Sequence, residues 1–93
     1  MERKLKKIAE MLDLDYVDLM GKNRFLRSTM VRQMCWEVMK KDLFYSLQEI
    51  ANVFYRDHST ISHGIKQSEI HREREKGFQE IFDNVRWVLI ENG

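Results

Sequence analysis

The chain has 93 residues, of which 43% are hydrophobic and 33% are charged, with no proline and a formal net charge of +1. A chain of this length buries one modest core, so we expect a single domain over residues 1–93. No stretch approaches the roughly 20 apolar residues that span a bilayer, and the basic N-terminus MERKLKKIAE lacks the apolar segment of a secretory signal. One cysteine, Cys35, excludes an internal disulfide and fits a reducing, cytoplasmic compartment.

The charge is distributed unevenly along the chain. Residues 21–66 carry eight Lys/Arg and four Asp/Glu, whereas the segments on either side are net negative. Affinity for nucleic acid follows the local patch that faces the phosphates, so a net charge near zero does not exclude it. On charge alone, a normally solvated surface and a nucleic-acid-binding surface both stay open.

Helical periodicity describes the start of the chain. A stripe at i, i+3, i+4 and i+7 predicts a first helix over residues 2–12, with these inward positions: Leu5, Ile8, Ala9 and Leu12. The segment DYVDLM predicts a short second helix that Asp15 starts, with Val17 and Met20 pointing inward. Gly21 is expected to end that helix in a left-handed conformation.

The middle of the chain predicts two further helices. One begins at about Ser28 and has a broad apolar face: Met30, Val31, Met34, Cys35, Val38 and Met39. Methionine at helical spacing is ordinary core filling, so we do not interpret these residues as a cofactor site. The other opens on SLQE, a capping box in which Ser46 caps the helix and Glu49 reaches back. Its inward residues are Leu47, Ile50, Ala51 and Phe54.

The last two helices complete an all-α fold. A tight connection at Tyr55–Arg56 leads to a fifth helix from about His58, and a sixth runs from about Gly77 to Ile90. The sixth has these inward residues: Phe78, Ile81, Phe82, Val85 and Val88 or Leu89. The predicted fold class is a single small all-α domain of about six helices.

The fourth and fifth helices are predicted to form a helix-turn-helix over about residues 46–68. Ala51 is small enough for the second helix to approach closely, and Ile61 and Ile65 form the buried underside of that helix. Gly64 lies between them and allows another backbone to come near. In this motif the second helix lies in the DNA major groove and touches base edges with its N-terminal residues.

The stretch RDHSTISHG supplies polar groups for such contacts. Asp57 caps the helix or accepts from a cytosine amino group, and His58 donates to a purine N7 or a carbonyl oxygen. The Thr60 methyl or Ser59 meets a thymine methyl. The exposed side is expected to carry His58, Ser59, Ser62, His63 and Lys66.

The same residues also suggest chemistry that helical geometry disfavours. Asp57, His58 and Ser59 contain the groups of a catalytic triad, but consecutive helical residues point about 100° apart and cannot form its relay. His58 and His63 are five positions apart, not the four that place two ligands on one face, and His71 is remote. We therefore predict no catalytic residue, no metal site and no cofactor.

The run SLQEIANVFYRDHSTISHGIKQ resembles the C-terminal DNA-binding domain, domain IV, of the bacterial chromosomal replication initiator DnaA. The family carries a Ser-Leu-x-x-Ile-Gly-x-x-Phe helix, followed by Arg-Asp-His-(Thr/Ser)-Thr-Val and then by a His and a basic residue. The first motif appears here as Ser46, Leu47, Ile50, Ala51 and Phe54. The second appears as Arg56, Asp57, His58, Ser59, Thr60 and Ile61, and the last two residues as His63 and Lys66. Two upstream segments extend the resemblance to about residues 5–68. The family's first two helices and the start of its basic loop resemble IAEMLDLDYVDLMGKNR, and its long third helix resembles VRQMCWEVMKK.

The resemblance implies a Trp-repressor-like fold that binds double-stranded DNA at a short, asymmetric, partly A/T-rich box. It implies base contacts by the residues that match Asp57, His58 and Ser59, with Thr60 beside them. We expect base contacts from Arg56, Thr60 and His63 as well. A basic loop over about residues 21–28 is implied to reach the adjacent minor groove through an arginine, as a narrow A/T groove attracts a guanidinium. Minor-groove or phosphate contacts are expected from Lys22, Arg24, Arg27, Arg32, Lys40, Ser46, Leu47 and Lys66.

The chain departs from the family pattern at two positions. Only Tyr55 stands where the family usually has two glycines between Phe and Arg-Asp-His, so the turn is one residue shorter. Leu26 aligns with the minor-groove arginine, and Arg24 and Arg27 flank it as substitutes.

The biological role is less defined than the fold. The full initiator carries an ATPase domain, and this chain has no Gly-x-x-x-x-Gly-Lys-(Ser/Thr) phosphate loop. We expect an excised domain or a stand-alone relative, and a helical segment directly after Met1 favours the latter. A nucleoid-associated role in replication initiation or its regulation is expected. The alternatives are a stand-alone transcription regulator and a helical protein-interaction or RNA-binding module that uses Tyr16, Trp36, Tyr55 or a patch around Trp87.

Overall fold

The computed structural model describes residues 1–91, and all the regular elements in that range are helices. They are α1 (Glu2–Met11), α2 (Tyr16–Met20), α3 (Leu26–Lys41), α4 (Leu47–Phe54), α5 (His58–Arg74) and α6 (Lys76–Ile90). The predicted all-α fold of about six helices is confirmed. Residues 92 and 93, which the predicted domain bounds include, lie outside the described residues.

The long helix α3 forms the centre of the molecule. Ten of its 16 residues are buried, because α2, α4, α5 and α6 all pack against it. The predicted apolar face is confirmed in full, since these residues are buried: Met30, Val31, Met34, Cys35, Val38 and Met39. The helix begins at Leu26, two residues before the predicted start. Within the described residues, no helix is long and apolar enough to cross a membrane.

Side-chain caps start the helices where the sequence predicts them. Ser46 Oγ accepts from the Glu49 N–H at 3.0 Å, and Glu49 Oε1 accepts from the Ser46 N–H at 2.8 Å, which completes the capping box. Asp15 caps α2 by accepting from the Val17 N–H at 2.9 Å. Each bond satisfies an amide that has no partner inside its helix.

Two predictions around α2 are wrong. Val17 is 73% exposed, and Leu19 is the fully buried residue, because a five-residue helix started by Asp15 turns only one side chain directly into the core. Gly21 does not adopt a left-handed conformation, since its φ is −79° and its ψ is 178°. The left-handed positions are instead the non-glycine residues Asp13, Phe44 and Tyr55.

The helix-turn-helix packs as predicted on its buried side. Ala51, Ile61 and Ile65 are all buried in the core. Gly64 faces a side chain and not the backbone expected from the sequence: a Cβ on Gly64 would lie 2.4 Å from the Trp36 indole ring. The close approach of α5 to α3 therefore depends on glycine at this position.

The end of α5 is joined to α3 by a buried carboxylate. Glu37 Oε1 accepts from Ser68 Oγ at 2.7 Å and from Arg72 Nε at 3.1 Å, and Glu37 also pairs with Lys41. Burial favours the neutral acid, but the hydrogen bonds from Arg72, Ser68 and Lys41 outweigh it and hold the pKa of Glu37 below its ordinary value. Helix α5 therefore continues to Arg74, six residues past the predicted motif.

Candidate nucleic-acid interface

The N-terminal half of α5 presents polar side chains to solvent along one side. The exposed residues are Asp57, His58, Ser59, Thr60, Ser62, His63 and Lys66. Ile61 is fully buried and Ile65 is 8% exposed, so the division between inward and outward positions is the predicted one. A helix with this arrangement can approach a duplex with its first two turns uncovered.

Asp57 is the N-cap of α5 and remains an acceptor. Its Oδ1 accepts from the Thr60 N–H at 2.8 Å and from Ser59 Oγ at 2.9 Å. The hydrogen bonds from Thr60 and then Ser59 lower the pKa of Asp57 below its ordinary value. Both bonds use Oδ1, which leaves Oδ2 for a further donor. Asp57 therefore fills the structural role predicted for it and retains a free acceptor oxygen at the helix entrance.

His58 is oriented by Gln48, which is not among the predicted site residues. His58 Nε2 lies 2.7 Å from Gln48 Oε1, and Gln48 Nε2 donates to Asn52 Oδ1 at 2.7 Å. Gln48 and Asn52 are one turn apart on the exposed face of α4. In the sequence, the i, i+4 spacing of these two amides just before α5 is the signal that could have indicated this contact. The first turn of α5 is thus joined to α4 on one side.

On its other side, α5 faces the basic loop across a groove of about 430 Å³. We call this the loop–helix groove. The loop, the turn and the start of α5 all contribute to its lining, with these residues: Lys22, Asn23, Arg24, Tyr55, Arg56, Asp57, Thr60 and His63. The loop is itself braced by Asn23, whose Nδ2 donates to the Asp18 carbonyl at 2.8 Å and whose Oδ1 accepts from the Phe25 N–H at 3.1 Å. The structure therefore brings the predicted base-contacting and minor-groove segments together.

Arg56 connects the loop to the turn. Its guanidinium donates to the Phe54 carbonyl at 2.8 Å and to the Gly21 carbonyl. Partial burial lowers the pKa of Arg56 from its ordinary value. The guanidinium of Arg56, which was predicted to contact bases, is therefore bonded to main-chain oxygens.

The predicted arginines of the loop and α3 separate into different environments. Arg24 is exposed and lines the loop–helix groove. Arg27 points elsewhere, since it donates to the Leu12 carbonyl at 2.9 Å and lines an apolar pocket with Phe78 of α6. Arg32 is only 4% exposed and donates to the Leu19 and Asp18 carbonyls, each at 2.8 Å. Burial lowers the pKa of Arg32, and its bonds to α2 make it a structural residue rather than a surface cation.

The remaining predicted contacts lie at the margins of this surface. Lys66 is exposed one turn beyond Ser62 on α5, and Ser46 with Leu47 begins α4. Lys40 is exposed near the C-terminal end of α3, whereas the loop precedes its N-terminal end. The two sites are about 20 Å apart along the helix axis at 1.5 Å per residue. The structure does not bring Lys40 together with the loop.

A short helix, a tight turn and a second helix with exposed polar residues, beside a basic loop, define a helix-turn-helix DNA-binding domain. The family model described as the bacterial dnaA protein helix-turn-helix matches residues 1–67, so this chain belongs to that family. Membership supports DNA binding through the helix-turn-helix. No solved structure matches the chain. In the part of the chain that the structure describes, no group of three or more His, Cys, Asp or Glu residues is placed to hold a metal ion.

Proposed function

We propose that this protein binds double-stranded DNA in a sequence-specific manner, with α5 in the major groove and residues 21–25 over the adjacent minor groove. One observation carries this proposal: Thr60 and His63 of α5 line the same groove as Lys22 and Arg24 of the loop. The two segments are joined through Arg56, so they can contact neighbouring grooves of one duplex as a unit.

Base reading is proposed for the exposed entrance of α5. Asp57 Oδ2 accepts from a cytosine amino group, while His58 and Ser59 reach neighbouring base edges or methyl groups. Thr60 and His63 lie toward the loop, where they contact the strand next to it. Lys66 and the α4 N-terminus, with Ser46, suit phosphate oxygens, which position the helix without reading sequence.

Arg24 is proposed as the minor-groove residue. Leu26, at the position that aligns with the family arginine, lies at the start of α3 and lines the apolar pocket with Arg27 and not the loop–helix groove. Arg24 is exposed on the correct side. An A/T-rich minor groove is narrow and strongly negative, so a guanidinium there favours A/T-rich flanking sequence.

The biological role that we propose is replication initiation or its regulation at the bacterial nucleoid, which rests on the family match. A stand-alone transcription regulator is the second candidate. The helical RNA-binding alternative is less favoured, because Trp36, one of its three aromatic platforms, is buried against Gly64 and Phe54.

Selection of bound duplexes from a random pool tests this function. An asymmetric, partly A/T-rich box is the expected result, and a palindrome would indicate a dimeric repressor. No enrichment of any duplex would contradict sequence-specific binding. The affinity is expected to fall with salt at a log–log slope of about −0.9 per phosphate contacted, roughly −4 to −6 in all. An affinity independent of salt would contradict the electrostatic part of the proposal.

A further inference from the structure

The turn between α4 and α5 carries a tyrosine that contributes little to the core. Tyr55 is 81% exposed, and its backbone is left-handed, with φ 55° and ψ 50°. This conformation favours glycine, and an exposed ring gains no burial in compensation. The stability of the fold does not account for tyrosine at this position. Strained backbone on an exposed segment is commonly found at binding sites.

The base of the Tyr55 side chain is held firmly. The Tyr55 N–H donates to the Ala51 carbonyl and ends α4, and the Arg56 N–H donates to the same carbonyl at 3.0 Å. The Arg56 side chain then binds the Gly21 carbonyl. Tyr55 therefore lies at the junction of α5 and the basic loop, where it lines both the loop–helix groove, with Lys22 and Arg24, and the neighbouring concavity, with Tyr16.

The position of this junction on a duplex follows from the proposed function, on which this inference rests. With α5 in the major groove and residues 21–25 over the adjacent minor groove, one sugar-phosphate strand passes between them, because a single strand separates the two grooves. The residue between α5 and the loop faces that strand. Tyrosine hydroxyls are among the side-chain groups that bind DNA phosphates.

We propose that Tyr55 donates a hydrogen bond from its hydroxyl to a phosphate oxygen of the strand that separates the two grooves. It thereby adds a backbone contact that glycine in the same turn cannot make. The hydroxyl carries no charge and neutralises no phosphate, so it strengthens binding without adding to the salt dependence. The Lys22 and Arg24 side chains supply the charge beside it.

Fluorescence anisotropy with a labelled duplex of about 20 base pairs, A/T-rich in one half, tests the contact at several salt concentrations. Three variants are compared with the unmodified chain: Tyr55→Phe, Tyr55→Gly and Tyr16→Phe. Tyr55→Phe is expected to raise Kd at least about tenfold, the loss of one hydrogen bond to an ionised phosphate, with an unchanged salt slope because the hydroxyl carries no charge. Tyr55→Gly is expected to weaken binding at least as much while its Tm is equal or higher, since glycine tolerates the left-handed backbone.

Tyr16→Phe is the matched control. Tyr16 lines the neighbouring concavity on the other side of Tyr55 and not the loop–helix groove, so its Kd is expected to stay within about twofold of the unmodified chain. Equal Kd values for the unmodified chain and Tyr55→Phe would overturn the Tyr55 contact and leave the proposed function standing. Absence of binding by the unmodified chain to any duplex at low salt would overturn the proposed function and the contact with it.

Discussion

The guanidinium of Arg56 donates a hydrogen bond to the carbonyl of Gly21, which lies 35 positions earlier in the chain. A second bond, to the Phe54 carbonyl at 2.8 Å, holds the same side chain to the end of α4. The start of the basic loop and the turn of the helix-turn-helix therefore move together. In the proposed complex this link sets the distance between the major-groove and minor-groove contacts.

Replacing Arg56 by alanine is expected to loosen this link. The change removes two charge-assisted hydrogen bonds and should lower the free energy of unfolding by about 1–3 kcal/mol. It should also weaken DNA binding, since the loop is no longer held beside α5. Urea denaturation and duplex titration measure the two effects. Arg56→Lys keeps the charge but lacks the planar guanidinium that donates to two carbonyls. Its stability and DNA affinity should therefore lie between those of the unmodified chain and those of Arg56→Ala. Unchanged stability and affinity in Arg56→Ala would contradict the link.

Arg24 and Arg27 form a matched pair for testing the loop. Arg24→Ala should weaken binding to a duplex with an A/T-rich flank by about tenfold and reduce the salt slope by about one. Arg27→Ala should change DNA affinity little, because its guanidinium binds the Leu12 carbonyl on another face. Titrations of both variants against duplexes with A/T-rich and G/C-rich flanks separate the two residues. Equal losses in both variants, or no effect of the flank, would exclude Arg24 as the minor-groove reader.

His58 should contribute to specificity more than to general affinity. His58→Ala is expected to weaken binding to a selected site by about 1–3 kcal/mol and to leave binding to random duplex nearly unchanged. Gln48→Ala should produce a smaller loss in the same direction, because Gln48 orients the imidazole from 2.7 Å away. Competition titrations with selected and random duplex provide the measurement. An equal loss on both duplexes would assign His58 to the DNA backbone.

Gly64 should tolerate no side chain, although alanine favours helices. A Cβ at this position lies 2.4 Å from the Trp36 ring, so Gly64→Ala should destabilise the fold by about 1–3 kcal/mol despite a propensity gain of up to about 1 kcal/mol. Gly77→Ala is the matched control, because a Cβ there has no neighbour within 4 Å and should stabilise α6 slightly. Urea denaturation followed by tryptophan fluorescence compares the two. A stabilised Gly64→Ala variant would show that α5 can move away from α3 without cost.

Glu37 should make stability depend on acid pH. Its pKa is lowered in the folded state, so its contribution is fully present above the unfolded value near 4.5 and is lost as pH falls through the folded pKa. Glu37→Gln should cost about 1.5–3 kcal/mol at neutral pH, as it removes the charged partner of Arg72, which stays part-exposed and keeps its bond to Gln79. The variant should also lose less stability than the unmodified chain as pH falls below about 4.5. Urea denaturation at several pH values tests this, and parallel pH curves for the two proteins would exclude Glu37 as the group responsible.

The sequence by itself determined the elements of this protein and the outward side of α5. Helical periods of apolar residues mark α1, α3 and α6, and local signals such as Ser46 with Glu49 mark a helix start within one turn of chain. The inward pair Ile61 and Ile65 settled which residues of α5 face solvent, because helical geometry relates positions three and four apart. The same logic failed at α2, where five residues are too few for a period to select Leu19 over Val17.

Only the tertiary structure decided which charged groups are available. Arg24, Arg27, Arg32 and Arg56 look alike in sequence, yet three of them bind main-chain carbonyls 2 to 35 residues away in the chain, whereas Arg24 is exposed at the loop–helix groove. No local pattern encodes such partners, since they depend on how α2, the loop and α5 pack around α3. The same holds for Gln48 beside His58 and for Tyr55 at the wall of the groove, because contacts between elements exist only once those elements have packed.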